Sequence, residues 1–409
     1  MNQDELKQKV AQAGIPYTSN VDNDTLPDNV GVFLFGAGVN RGLGNAQDNY
    51  LLGNSLDNII DGGQGNDVMA AYAGNDTYCI DSTNINADWS FDFAIGDIVV
   101  ENVDDGTDTV SASASYILSA NIENLVLIGN ARGGGGNALN NSITGNAADN
   151  IINGGAGVDT AMGGAGNDWY FIDETNDVTT ELGGEGTDLV FSSATDYVLN
   201  ANVEHLILWG TGLNCTGNAG DNIIYGNALN NTLVDGAGSD ILVGCRGQDT
   251  YTMSVDNTTD TLYFNAGDSL VIGYDQANNF NLGSSATSSV GADRLDLPST
   301  TIATNAIVNG VNAGTIMSHS ISNGIISFGN ADSFTAPATV IATNVLADVL
   351  AYLQSNITGG DTVAFVVEGN TFVFQDGGID VADTVIELLG VQATSVSNTG
   401  LAVGSVCIM

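Results

Sequence analysis

Basic residues are what this chain has least of. Only 6 Lys plus Arg stand against 48 Asp plus Glu, a formal charge of -42. A nucleic-acid partner is excluded as a working idea, because contacts to phosphate need Lys and Arg. Carboxylates at this density repel one another in any compact state, and bound divalent cations are the natural relief. No stretch of about 18 consecutive apolar residues occurs, so the sequence holds no transmembrane helix. The opening MNQDELKQKVAQAG has no apolar core, so no N-terminal secretion signal is read there. Residues Asp4 to Ala13 are expected to form a short helix and nothing more. The four cysteines, Cys79, Cys215, Cys245 and Cys407, have no C-x-x-C spacing. They read as buried or incidental thiols, with an intermolecular disulfide through Cys407 left open. Disorder is excluded as well, since 43% of the residues are hydrophobic.

Glycine is abundant instead, and it is placed periodically. The stretch Gly154 to Phe171 reads GGAGVDTAMGGAGNDWYF, two nine-residue units end to end. Glycines at positions 1, 2 and 4 allow positive φ and close backbone approach, so six residues can turn with their carbonyls converging. Asp at position 6 brings a carboxylate to that point. The last three residues suffice for a short strand whose position-8 side chain points inward. Carbonyls and a carboxylate in a flexible loop are hard oxygen ligands, which suit Ca²⁺ better than Zn²⁺ or Mg²⁺.

Twelve such units fall into three blocks, starting at Gly44, Gly53, Gly62 and Ala71, at Gly136, Gly145, Gly154 and Gly163, and at Gly217, Gly226, Asp235 and Gly244. In each block the first two units read G-N-x-x-[DN]-N and the last two follow the Gly-Gly form. Position 8 reads Leu51, Ile60, Met69, Tyr78, then Ile143, Ile152, Ala161, Tyr170, then Ile224, Leu233, Leu242, Tyr251. A low-complexity linker would not hold apolar residues in that phase. Between blocks a second unit recurs, YILSANIENLVLIG and YVLNANVEHLILWG, with Glu101 and Asp108 answered by Glu181 and Asp188. Its alternation reads as strand, burying Leu125, Leu127, Leu206 and Leu208.

The nonamer resembles the RTX (repeats-in-toxin) calcium-binding repeat. Together with the connecting unit, over about residues 44 to 253, it looks like the arrays of large secreted RTX proteins of Gram-negative bacteria. The resemblance implies a parallel β-roll in which two nonamers complete one coil and Ca²⁺ sits between turns stacked on one side. Unit 3 then lies over unit 1 and unit 4 over unit 2, about 4.8 Å away along the ladder. This register sets Asp67 over Asp48-Asn49, Asp76 over Asp57-Asn58, Asp159 over Asn140-Asn141, Asp168 over Asp149-Asn150, Asp240 over Asp221-Asn222 and Asp249 over Asn230-Asn231. Candidate ligands for several Ca²⁺ ions are thus Asp67, Asp76, Asp159, Asp168, Asp240 and Asp249 at position 6, and Asp48, Asp57, Asp149 and Asp221 at position 5. The alternative for each is an Asx cap on its own turn. Folding is expected to be coupled to ion binding. The third block departs from the pattern with Asp235 at position 1 and Cys245-Arg246 at positions 2 and 3, which implies weaker calcium binding there.

The expected fold is all-β. An N-terminal segment, 1–43, leads into a β-roll solenoid over 44–285 with blocks at 44–79, 136–171 and 217–252, and a smaller mostly-β C-terminal domain with one helix fills 286–409. Gly283 to Gly291 reads as a linker. Thr343-Asn344 is a candidate cap for a helix carrying Val345, Leu346, Val349, Leu350 and Leu353 on one face. TVAFVVEGNTFVFQD, Thr362 to Asp376, reads as a hairpin turning at Gly-Asn, and TVIELLGV, Thr384 to Val391, as another strand. This order resembles the C-terminal domains of RTX surface-layer and related type I secreted proteins. The apolar end Val406-Cys407-Ile408-Met409 suits the uncleaved export signal of that family, and equally a buried last strand.

No enzyme is read here. The secreted proteases that carry RTX repeats have H-E-x-x-H, whereas His205 and His319 lack that context. The lipases have G-x-S-x-G, which is absent. Acids set in glycine-rich turns offer no glycosidase cleft. The expected function is a calcium-dependent structural protein exported to the surface of a Gram-negative bacterium by type I secretion. It assembles with itself into an S-layer, sheath or filament, since solenoid ends and edges invite open-ended contacts. The alternative is a secreted adhesin that uses the β-roll as a rigid spacer, with a cell-surface polysaccharide as partner. A toxin is disfavoured, because no apolar pore-forming segment is present.

Overall fold

A computed structural model describes residues 3–83, 96–270, 273–282, 292–299, 301–313, 316–329, 346–378, 383–397 and 405–409. The fold is mostly β, a parallel solenoid followed by a smaller mixed-sheet region, with two helices. Two compact units divide it, Met1–Phe191 with Asn200–Asn202, and Ser192–Leu199 with Val203–Met409.

In the first unit each nonamer contributes one strand of three or four residues, and within a block the partner is the strand of the nonamer after next. Leu51 pairs with Met69, Ile60 with Tyr78, Ile143 with Ala161 and Ile152 with Tyr170, all in parallel. Two nonamers therefore make one coil. The centre residue of each short strand points inward, and these position-8 side chains form a buried column. Burying a residue of that size contributes about 1.5–3 kcal/mol, which has to offset the ordering of a glycine-rich backbone. Ala161 leaves the column thin at one level, and Met162 beside it points to solvent.

The coil begins before the first nonamer. Val32–Phe35 pairs with Tyr50–Leu52, Arg41–Leu43 with Ile59–Asp61, and Tyr17–Ser19 and Asp24–Thr25 extend the same two sheets. Most of segment 1–43 thus belongs to the solenoid, because a coil needs only short inward-facing strands and the Gly-Asp signature marks turns alone. The N-terminal helix α1 spans Gln3–Gln12, as expected. Its Leu6 is buried against Leu52, Ala70 and Val100 on the outer face of one sheet. The connecting units are coils too, with Leu125 and Leu127 buried in the first unit and Leu206 and Leu208 in the second.

In the second unit the coils continue through Thr261–Tyr263 to Arg294–Asp296, beyond the expected boundary at 285. The linker read at Gly283 to Gly291 lies outside the described residues. Past Arg294–Asp296 antiparallel pairing appears. Ser405–Ile408 runs antiparallel along Arg294–Asp296, and Thr384–Leu388 joins Asp275–Asn278 in parallel before an antiparallel run through Asn370–Gln375 and Asp361–Val367. Val406 and Ile408 are buried in that last strand. Helix α2, Leu346–Asn356, packs Leu346, Val349, Leu350, Tyr352 and Leu353 into the core; its expected cap Thr343-Asn344 and Val345 fall outside the described residues. The hairpin forms one residue earlier than read: Val367 pairs with Asn370, and the turn is Glu368-Gly369, with φ of 49° and 93°. Two positive φ values are what a type I′ turn requires, so Gly takes the second central position. That register stacks Phe365 on Phe372, with centroids 5.3 Å apart. His319 is a core residue, its Nδ1 3.0 Å from the Tyr352 hydroxyl.

Cys245 occupies the nonamer position where Gly155 and Gly164 have φ of 84° and 90°, and it is itself held at 68°. A side chain in the left-handed region costs roughly 1–2 kcal/mol. Cys245→Gly is expected to raise stability by about 1 kcal/mol in thermal unfolding of the calcium-loaded chain. A lower melting temperature would show that the thiol's packing outweighs its strain.

Candidate metal centre

The two nonamer variants close their turns by different chemistry. In the first two units of a block the asparagines do it. Asn45 donates its amide to the carbonyls of Pro27 and Val30 in the preceding coil, both at 2.9 Å, and accepts the Gln47 N–H at 2.9 Å. Asn49 at position 6 accepts the Asn45 N–H at 2.8 Å. The second block repeats this with Asn137 and Asn141, and the third with Asn218 and Asn222. An amide N–H₂ here bridges two carbonyls of the turn one coil before, so these turns are satisfied by the chain alone.

The last two units replace both asparagines, with Gly at position 2 in most and Asp at position 6. One oxygen of each Asp accepts the N–H of the asparagine 18 residues earlier. The distances are 2.7 Å for Asp67 to Asn49, Asp76 to Asn58 and Asp159 to Asn141, 2.6 Å for Asp168 to Asn150 and Asp240 to Asn222, and 2.8 Å for Asp249 to Asn231. The expected stacking register is the one observed. The second oxygen, Oδ2, is buried in all six and takes no hydrogen bond from the chain. In four of these units position 1 is glycine and a Cβ there would meet that oxygen, at 2.4 Å from Asp67 Oδ2 for Gly62 and 2.2 Å from Asp159 Oδ2 for Gly154; Ala71 and Asp235 stand at this position in the other two.

A buried carboxylate oxygen without a donor costs free energy of the order of several kcal/mol if the group is ionised. Burial pushes Asp67 and Asp240 up to about 8, Asp76, Asp168 and Asp249 to about 7, and Asp159 to about 6; the asparagine N–H opposes the shift in each. Neighbouring acids add to it in turn, Asp97 beside Asp67 and Asp108 beside Asp76. The donor set fits a hard dication: an orphaned, buried carboxylate oxygen among oxygen-rich turns.

The position-5 acids are placed differently. Asp48, Asp57, Asp149 and Asp221 are exposed, and each accepts a backbone N–H from the next coil, of Asn66 at 3.0 Å, Asn75 at 2.8 Å, Asn167 at 3.0 Å and Ser239 at 2.8 Å. Asn140 and Asn230 make the same rung to Val158 and Gln248. An amide and a carboxylate are interchangeable there, which is the behaviour of a turn cap.

The structure adds six acids that the reading of the nonamers did not include in the ladder. The N–H of each position-6 Asp is accepted by a further buried carboxylate one coil on: Asp97 for Asp67, Asp108 for Asp76, Asp177 for Asp159, Asp188 for Asp168, Asp260 for Asp240 and Asp275 for Asp249, at 2.8–3.0 Å. Every block is one coil deeper than its repeat. The recurrence of Asp108 as Asp188 was a legible signal for two of these; Asp97 and Asp275 follow insertions that break the phase. Asp235, the departure at position 1, is buried with Asp240 and Asp260, so it brings charge into the third block.

The pH dependence of the ion-free chain follows from these groups. Their folded values lie at about 6 to 8, above the model-peptide value of 3.8, so between roughly pH 4 and pH 8 the folded state holds more protons than the unfolded one. Stability is then greatest at the acid end and is lost as pH rises. Chelated protein is expected to lose strand signal in far-UV circular dichroism on going from about pH 5 to about pH 8, and calcium should flatten that dependence. The same pH profile with and without calcium would separate these carboxylates from the ion.

A family model described as the RTX calcium-binding nonapeptide repeat (4 copies) matches residues 43–78, 135–170 and 216–251. Comparison with curated proteins finds no match. The matched segments begin one residue before the three blocks and end with their position-8 tyrosines, Tyr78, Tyr170 and Tyr251. The chain carries three four-copy blocks of the RTX calcium-binding repeat, wound into a parallel β-solenoid that binds calcium.

Proposed function

We propose that this is a calcium-dependent extracellular structural protein that assembles with itself at the cell surface as an S-layer, sheath or filament. RTX repeats are typical of type I secreted proteins, and no described helix is long and apolar enough to cross a membrane. The position-6 acids Asp67, Asp76, Asp159, Asp168, Asp240 and Asp249 are the ion ligands in this reading, and the exposed position-5 acids cap turns.

The observation that carries self-association is the first coil. Tyr17–Ser19 and Asp24–Thr25 are the outermost strands of their sheets, and Ile15 and Val21 beside them are exposed, Ile15 at 93% and Val21 at 66%. Edge strands of this kind are templates for pairing with another chain. In the second unit the corresponding last coil strands are already paired, by Thr384–Leu388 and Ser405–Ile408. A contact between two first coils is isologous and stops at a pair, so an extended array needs a second contact. The strand Ala306–Ala313 is a candidate for it, outermost in its sheet with Val308 and Val311 exposed, although Asn356 holds the Val311 backbone. Those two valines are the exposed large apolar side chains among the described residues of 292–409. An aromatic platform for sugar is not among them, which favours assembly over the adhesin reading.

Calcium titration of the full chain, followed by circular dichroism and negative-stain microscopy, is expected to produce strand signal and ordered assemblies together. The Ile15→Lys, Val21→Lys double variant should fold with calcium as before and lose assembly. A wild-type chain that folds with calcium and stays monomeric would remove the structural reading in favour of the adhesin.

A further inference from the structure

Two connecting units place a glutamate where the next nonamer would have its first glycine. The strand registers Ala70 to Val100 and Met162 to Thr180 set Glu101 over Ala71 and Glu181 over Gly163, each the first residue of the fourth unit of its block. The turn that follows is two residues longer than a nonamer turn, yet it stacks in the same way. Asp76 donates its N–H to Asp108 at 2.8 Å and Thr107 donates to Asn75 at 2.9 Å; in the second block Asp168 donates to Asp188 at 2.8 Å and Thr187 to Asn167 at 2.9 Å. The outcome is a pair of matching centres, Asp76, Glu101, Asp108 and Asp168, Glu181, Asp188, each with one oxygen per residue lying within 4.8 Å of the others.

Each glutamate is oriented by a tyrosine. Tyr78 donates its hydroxyl to Glu101 Oε1 and Tyr170 donates to Glu181 Oε1. The other oxygen, Oε2, is buried and takes no hydrogen bond from the chain, and the same is true of Asp76 Oδ2 and Asp168 Oδ2. Glu101 and Glu181 are 7% and 5% exposed, Asp76 and Asp168 1% and 0%. Each centre thus holds two buried, unpartnered oxygens, on carboxylates fixed by a tyrosine hydroxyl and a backbone N–H. The third block reaches a similar triad by another route, with Asp235 at position 1 of the unit that carries Asp240, and Asp260 on the following coil. There too Asp240 Oδ2 has no partner.

We propose that these carboxylate triads are a second class of divalent-cation site, which fills with Ca²⁺ ahead of the ordinary nonamer turns and fastens each block to the coil beyond it. The proposal rests on the calcium reading above and adds a hierarchy to it. A nonamer turn such as that of Asp159 offers one orphaned carboxylate oxygen, whereas a triad gathers three buried carboxylates with all-oxygen donors. Affinity for Ca²⁺ in such sites rises with the number of charged ligands and the rigidity of their placement. In the first two blocks the triad also gives the tighter ion a structural consequence, because it ties the last nonamer to a turn two residues longer than its own.

The test uses the full chain and a calcium titration at low free ion, with bound ion counted by equilibrium dialysis. Glu101→Gln with Glu181→Gln keeps an acceptor for each tyrosine, and is expected to weaken the tightest class of ions at least tenfold for two equivalents. Asp67→Asn with Asp159→Asn should leave that class in place and lower the later-filling class. A Glu variant indistinguishable from wild type, beside a weakened Asp67, Asp159 variant, overturns the triads while the nonamer reading stands. Two unchanged variants would remove the calcium reading itself. Terbium gives a check that needs no variant. Tyr78 and Tyr170 adjoin the triads, so the first equivalents of Tb³⁺ should show tyrosine-excited emission; early equivalents without it overturn the order of filling.

Discussion

The structure depends on a carboxylate that is buried, hydrogen-bonded through one oxygen and unsatisfied at the other. Asp67, Asp76, Asp159, Asp168, Asp240 and Asp249 share that arrangement. The bonded oxygen fixes the turn on the coil before it, and the free oxygen makes the turn incomplete. None of the chain's 6 basic residues bonds to any of these six free oxygens. Gly62 and Gly154 answer to the same constraint, since a Cβ on either would stand where the free oxygen is.

Asparagine and aspartate divide the work within a block. Asn45 and Asn137 carry N–H donors to the carbonyls of the coil before, so the early turns close without an ion. Substituting Gly at position 2 and Asp at position 6 removes those donors and leaves oxygens. The block therefore runs from a self-satisfied turn to an ion-requiring one, and then to an acid on the following coil. Such an order is suited to growth from a preformed template. The asparagine turns present the N–H groups of Asn49 and Asn141 at the spacing that the carboxylates of Asp67 and Asp159 need.

Much of this was legible in the residues, and what was not has physical causes. The 18-residue register follows from the nonamer phase, and it placed Asp67 on Asn49 and Asp249 on Asn231 correctly. The coils before residue 44 carried no nonamer signature, because Val32–Phe35 needs only inward Phe33 and Phe35 to join the sheet, not the turn chemistry. Asp97 and Asp275 were hidden by insertions, which break the sequence phase while the ladder continues; closing a longer connection costs only about 0.6 kcal/mol per doubling of length, so the coil tolerates them. The hairpin at Glu368-Gly369 was misplaced by one residue because Gly-Asn and Glu-Gly both supply a residue tolerant of positive φ, and the pairing of Phe365 with Phe372 decides between them.

The number of incomplete turns sets how sharply the fold answers to the ion. A ligand that binds only the folded state stabilises it by about 2.7 kcal/mol per site when its free concentration is 100 times Kd. Six sites at that level would contribute roughly 16 kcal/mol, which exceeds the net stability of an ordinary domain, about 5–15 kcal/mol. At a free concentration well below Kd the same six turns contribute nothing favourable, and their carboxylates oppose burial. A single site would shift the folding equilibrium by a modest factor. Repetition turns the same chemistry into a switch, because each further coil adds another incomplete turn to the same cooperative column of Leu51, Met69, Ile143 and their neighbours.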